Sequence, residues 1–217
     1  SKTNPFDEAY YLAHIKALEL WCKDSQLEIN VAKTNELIFC KKQDIITEPV
    51  LLNGQVVETV GTFKYLGTVL DNHLSFIENT DFIYKKCTQR LSLLRKLNCL
   101  GVSTKIIELV YITHIESVLT FHLSAWFGHL NCKLKKKLNR IVLMASKIVG
   151  KPQKQLTQIY IDRMSKKARK ITIDSTHLLA SEFELLKSGR RFRVPLAKGT
   201  LKKSFIPNAI SILNQIK

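Results

Sequence analysis

The sequence contains no Asp-Asp and no Asp-x-Asp; its only adjacent acids are Asp7 and Glu8. Two-metal phosphoryl transfer needs carboxylates close enough to bridge both ions, so no complete nucleotidyl-transfer site is legible. Asp7 and Glu8 stand where an amphipathic helix begins, and acids there favour the helix dipole. The eight glycines are scattered. None forms G-x-G-x-x-G or a P-loop, and no serine sits in G-x-S-x-G, which leaves dinucleotide, methyltransferase and serine-hydrolase chemistry without a visible site. The five cysteines, Cys22, Cys40, Cys87, Cys99 and Cys132, include no C-x-x-C pair. That pattern is neither a disulfide framework nor a zinc ribbon, and reduced intracellular thiols are its simplest reading.

Long hydrophobic runs are missing too. The longest uncharged stretch, Ser117 to Cys132, is 16 residues and includes His122, His129 and Asn131. It is short and polar for a membrane span, and no membrane partner is expected. No secretion signal is visible at the start, so the expected location is intracellular, in nucleus or cytoplasm. His122, His129 and Cys132 fit no closed ligand set. His114-Ile115-Glu116 formally matches half of an iron facial triad, but His114 falls on the apolar stripe of a predicted helix. No metal site is expected.

Cations are present in excess, and they are unevenly placed. The chain of 217 residues carries a net charge of +16. Residues 1–130 hold 13 Lys/Arg against 14 Asp/Glu, whereas residues 131–217 hold 21 against 4. A field of that size attracts polyanions and releases their counterions on contact. Nucleic acid is the first partner class implied, and an anionic membrane surface the second.

Periodicity predicts an α+β chain. A helix over 7–25 presents Tyr11, Ile15, Leu18 and Cys22 on one stripe. Two short extended stretches follow, Leu27–Val31 and Glu36–Phe39. Asn53-Gly54 between Val50–Leu52 and Gln55–Val57 predicts a type I′ hairpin. Phe63 to Leu70 reads as one further strand. After Ser75 the pattern turns helical, with Tyr84, Cys87, Leu91 and Leu94 on one stripe and Gly101 ending it. The next helix, capped by Ser103 or Thr104, carries Ile107, Val110, Tyr111, His114 and Val118. A third carries Leu134, Leu138, Ile141, Ala145 and Ile148 and stops at Gly150 and Pro152. Beyond it the chain reads as basic and less periodic. The organisation expected is a small antiparallel β unit with one helix over 1–75, a helical domain over 76–150 and a basic segment over 151–217.

The basic segments are the candidate site. Lys133, Lys135, Lys136, Lys137 and Arg140 crowd the start of one helix, where they oppose its dipole unless a polyanion lies across them. Lys166, Lys167, Arg169 and Lys170 form a second cluster. Arg190, Arg191 and Arg193 flank Phe192, which either stacks on a base while the guanidinium groups hold phosphates or belongs to the core. Lys202 and Lys203 precede Ser204-Phe205.

Several stretches resemble a known family. Leu20-Trp21-Cys22, Leu27-Glu28-Ile29-Asn30 and Lys33-Thr34 are similar to a block that follows the catalytic aspartate strand in reverse transcriptases of non-LTR (LINE-type) retrotransposons. Phe63-Lys64-Tyr65-Leu66-Gly67 resembles the family's next block, the primer grip. Tyr84 to Leu97 resembles its first thumb helix, and Ser204 to Ile210 a terminal segment of some of its members. The resemblance covers nearly the whole chain. It implies a partial palm over 1–75, a thumb-like domain and a tail that together clasp template–primer RNA, DNA or hybrid. It implies that Lys33 is the palm lysine assisting pyrophosphate departure and that Phe63 to Gly67 hold the primer end. The family's aspartate pair lies upstream of the Trp21 position, and residues 1–20 hold none. The expectation is therefore a C-terminal fragment that binds nucleic acid without polymerising alone, with Mg²⁺ belonging to the intact family enzyme and no cofactor to the fragment. The Tyr84–Leu97 region also resembles the segment labelled as the N-terminal domain of AlkB homologue eight, which would imply dioxygenase or methyltransferase chemistry. A helical protein-interaction module is the third alternative. Oligomeric state is not legible.

Overall fold

A computed structural model describes residues 5–39 and 49–216. Cys40 lies outside the described residues. The chain divides into two compact units, Ser1–His73 and Leu74–Lys217. Its make-up is mixed, with long helices and small sheets, as an α+β reading requires.

In the first unit, helix α1 spans Pro5–Asp24. Only part of its expected stripe is covered. Cys22 is buried and Ile15 packs with Ile29 and Val31 against Val50, Leu52 and Val57. Tyr11 and Leu18 are exposed instead. Tyr11 turns its hydroxyl to Glu36, donating to Oε1 at 3.0 Å. The strands are short: β1 Asn35–Glu36, β2 Leu51–Leu52, β3 Gln55–Val56, β4 Glu58–Thr59, β5 Thr62–Tyr65 and β6 Thr68–Asp71. Among the described residues they form three two-stranded pairs; β2–β3 and β5–β6 are antiparallel, as expected of the unit, while β1–β4 is parallel. The two extended stretches expected over 27–39 reduce to β1, because Val31–Lys33 closes into a 3₁₀ turn.

The Asn53-Gly54 hairpin forms as expected, with Leu52 opposite Gln55 and φ of 50° and 73° at the turn. The single strand expected over Phe63–Leu70 is a second hairpin. Tyr65 pairs with Thr68, and the turn residues Leu66 and Gly67 take φ of 45° and 85°. Two positive φ values make the same turn type, but here leucine occupies the place where Asn53 sits in the first hairpin. A left-handed leucine costs roughly 1–2 kcal/mol. Leu66→Asn is therefore expected to stabilise the first unit by about 1 kcal/mol, read as a shifted midpoint in urea unfolding.

The second unit is helical. Helix α2 spans Ile77–Cys99 and buries Ile83, Cys87, Leu91 and Leu94, and Gly101 follows it in the left-handed conformation. Helix α3, Thr104–Val110, runs without a break into a π-helical turn, Tyr111–Glu116, and then α4, Ser117–Leu119. The π-turn changes which residues face inward. Ile107, Tyr111, Ile115 and Leu119 are buried at a constant spacing of four, while His114 is exposed and Val118 half-buried. An α-helix would rotate that spacing off the core, and the wider π-turn keeps it in register. The expected inward positions of His114 and Val118 are thus corrected to Ile115 and Leu119. Arg90 donates to the His114 carbonyl within this turn.

Helix α5, Leu123–Trp126, follows a left-handed His122, and Trp126 Nε1 donates to the Phe121 carbonyl at 2.8 Å. The stretch Thr104–His129 is long and apolar enough, by length and composition, to cross a membrane. Within it Tyr111, Ile115, Leu119, Leu123, Trp126 and Phe127 are fully buried in the unit, while Ile106, Leu109, Ile112 and Phe121 are exposed. Helix α6, Cys132–Val149, is capped by the Asn131 side chain, which accepts from Leu134 N at 2.9 Å, and ends at Gly150. It packs chiefly on α2.

The region expected to be weakly periodic holds two further helices. Helix α7, Leu156–Ile173, buries Leu156, Ile159, Tyr160, Met164, Ala168 and Ile171. Helix α8, Phe205–Ile216, buries Pro207, Ala209, Ile210 and Leu213 and packs against α7.

Burial pushes the Cys87 thiol up to about 12, against the opposing pull of Arg90 and Lys86. A raised thiol pKa means the folded chain holds its proton longer than the unfolded chain, so stability falls as pH rises from 9.0 toward about 12. Cys87→Ala is expected to lessen that alkaline loss by up to about 1.4 kcal/mol per pH unit, measured by urea unfolding at a series of pH values above 8.

Candidate nucleic-acid interface

The candidate residues lie in both units. Lys33, exposed, ends the 3₁₀ turn of the first unit. Phe63 is half-buried on β5, while Lys64, Tyr65, Leu66 and Gly67 are exposed around the hairpin tip. All the other candidates belong to the second unit.

On α6 the five clustered cations divide into two groups. Lys137 is engaged inside the fold: it pairs with Asp81 at 2.5 Å and lies 4.9 Å over the Tyr84 ring. Lys135 lies 5.0 Å over the Phe127 ring. Lys133, Lys136 and Arg140 point outward and are exposed. At about 100° per residue they fall within an arc of about 60°. Lys147, also exposed, falls in the same arc. The row runs about 21 Å along the helix. The buried residues Leu138, Ile141, Val142, Ala145 and Val149 occupy the opposite side. Leu143, exposed, sits between Arg140 and Lys147. Sequence reading missed Lys147, although the spacing 133, 136, 140, 147 carries the same three- and four-residue signal as the core stripe.

On α7, Lys166, Arg169 and Lys170 are exposed, and Lys167 lies 4.9 Å over the Phe205 ring of α8. Arg163, which the sequence did not single out, donates from Nη2 to Thr120 Oγ1 at 2.8 Å and also bonds the Thr120 carbonyl. It closes the end of α4 and faces Glu116, whose carboxyl is raised by burial against the opposing pull of Arg163 and Lys154. Lys202 and Lys203 are exposed at the end of a 3₁₀ turn, Gly199–Lys203.

The segment 184–193 is a small hairpin. Leu186 N donates to Arg191 O at 2.8 Å and Arg193 N to Glu184 O at 2.8 Å, with Gly189 left-handed at the tip. Phe192 is half-buried and meets Phe183 edge-on, 6.2 Å between centroids. Arg190 and Arg191 are exposed, and Arg193 pairs with Glu184 at 3.6 Å.

Among the described residues no three His, Cys, Asp or Glu side chains form a group able to hold a metal ion. His114 contacts its neighbour Thr113, His122 lies on Phe121, and His129 stands edge-on to Phe76. The exposed cations of the second unit set up a positive field, which attracts polyanions.

A protein of Drosophila melanogaster described as a probable RNA-directed DNA polymerase from transposon BS is 27% identical to the chain over 137 residues. The match covers 62% of the chain and 15% of that protein. No family model matches the chain, and no solved structure matches it.

Proposed function

We propose that the chain is a nucleic-acid-holding part of a retrotransposon-type reverse transcriptase, which clasps template–primer and does not polymerise by itself. The distant likeness to a transposon polymerase supports the origin. The observation that carries the binding is the α6 row: Lys133, Lys136, Arg140 and Lys147 exposed along one side of a helix whose other side is core. Evenly placed cations on a rigid rod suit a repeating phosphate backbone. Their contacts are to phosphates, so they position without reading sequence. In this reading Lys33 keeps the role of the palm lysine that assists pyrophosphate departure in the intact enzyme, and the Phe63–Gly67 hairpin tip meets the primer end. The strained Leu66 fits that role, because strain kept at an exposed turn marks a conformation selected for something other than stability.

The test is fluorescence anisotropy of labelled RNA, DNA and hybrid duplexes across a salt series. Four phosphate contacts give log K against log salt a slope of roughly −3.6 on B-form DNA. Affinity that holds constant as salt rises would refute the proposal.

A second reading, a protein-interaction module, draws on the outer side of α3. Ile106 and Leu109 on α3 and Ile112 on the π-turn after it are exposed. Exposed apolar residues grouped in one patch are the kind of surface a protein partner covers. Absence of nucleic-acid binding together with a defined protein partner would favour that reading.

A further inference from the structure

The hairpin 184–193 is held from outside in an unusual way. Asn214, half-buried on α8, accepts from Phe192 N at 2.9 Å and donates to Phe192 O at 2.9 Å. One side-chain amide thus satisfies both backbone groups of Phe192, as a neighbouring strand would. The Phe192 ring meets the buried Phe183, and the Leu185–Phe192 bridge closes the ladder. Beyond this clamp the chain carries Lys187, Arg190 and Arg191 within five residues, all exposed. The one acid of the hairpin, Glu184, is at its base with Arg193. The three cations lie within five residues of chain, and the clamp restrains the backbone that carries them. Fixing the loop beforehand removes its ordering cost from any later binding step.

We infer that 184–193 is a preformed cationic finger that grips backbone phosphates of nucleic acid, and that Asn214 is its positioning residue. The inference rests on the proposed function and adds a second contact element to the α6 row. It assigns Phe192 to the anchor of the finger and not to a base-stacking platform. Lys187, which lay outside the original cluster, joins Arg190 and Arg191 at the tip.

The experiment is a double-mutant cycle read by anisotropy on a DNA duplex and a single strand in a salt series, with thermal melting as the folding control. Arg190→Ala with Arg191→Ala is expected to lower duplex affinity about 25-fold near physiological salt and to reduce the salt slope by about two units. Asn214→Ala is expected to lower affinity several-fold with the unit still folded. Its effect is expected to shrink markedly when Arg190 and Arg191 are already alanine, with Lys187 the one tip cation left. Phe192→Leu keeps an apolar anchor but removes the flat ring, and is expected to bind both ligands as wild type does. A selective loss of single-strand binding in Phe192→Leu would overturn the anchor assignment. Additive losses in the cycle, or wild-type affinity in Asn214→Ala, would overturn the positioning role. If wild type binds no nucleic acid at all, the proposed function falls first; if it binds and only these variants are silent, the finger alone falls.

Discussion

Gly128→Ala is expected to lower the stability of the second unit by about 1–3 kcal/mol, the usual range for forcing a methyl into a filled site. A Cβ at position 128 would come within 2.8 Å of the Lys203 carbonyl oxygen, 2.9 Å of Asn208 Nδ2 and 2.9 Å of the Tyr160 hydroxyl. All three are closer than van der Waals contact allows, and the nearest belongs to backbone. Asn208 cannot simply swing away, because its amide donates to Lys203 O at 2.7 Å and to Ser204 O at 3.0 Å. Tyr160 is buried on α7, where burial also pushes its hydroxyl up to about 12. Gly128 is therefore the point at which the segment leading into α8 closes on the helical core. The variant is expected to melt roughly 3–10 °C lower and to become sensitive to proteolysis between α7 and α8. Gly61→Ala, with open space around the site, is the control, expected within about 0.5 kcal/mol of wild type. Equal melting of Gly128→Ala and wild type would mean that the C-terminal helix is not packed as described.

What was legible in the sequence depended on how local the signal was. The Asn53-Gly54 turn and the stops at Gly101 and Gly150 were readable because each needs one residue type in one conformation. The Leu66-Gly67 turn was not, since nothing about leucine announces a positive φ and the residues on either side alternate like one continuous strand. The inward position of Ile115 was hidden by the π-turn, which no 3.6-residue template anticipates. Helix α7 was masked by its own charge. Its buried set, Leu156, Ile159, Tyr160, Met164, Ala168 and Ile171, has good helical spacing, but seven cations between 151 and 170 draw the eye to composition. The candidate interface was legible as a basic region and illegible as a surface. Which lysines point outward depends on partners such as Asp81, Tyr84 and Phe127, and these come from other helices.

That distinction makes the α6 row separable from its neighbours by experiment. Replacing Lys133, Lys136, Arg140 and Lys147 together by glutamine is expected to weaken duplex binding by two to three orders of magnitude, about fivefold for each lost phosphate contact near physiological salt, and to flatten the salt slope by roughly 3.6 units on B-form DNA. Stability should change little, because all four side chains are exposed and oppose the buried side of the helix. Removing cations from the first turns should even relieve the helix dipole slightly. The contrasting variant replaces Lys135 and Lys137. Lys137 pairs with Asp81 and covers Tyr84, and Lys135 covers Phe127, so their loss acts on packing. Such exposed or half-exposed contacts are worth up to about 1 kcal/mol each. The two variants thus trade effects: the outward four change affinity and salt slope at near-constant stability, and the inward two change melting with a smaller change in slope. If both variants lowered affinity equally, binding would follow net charge alone, and the orientation of α6 would have no part in it.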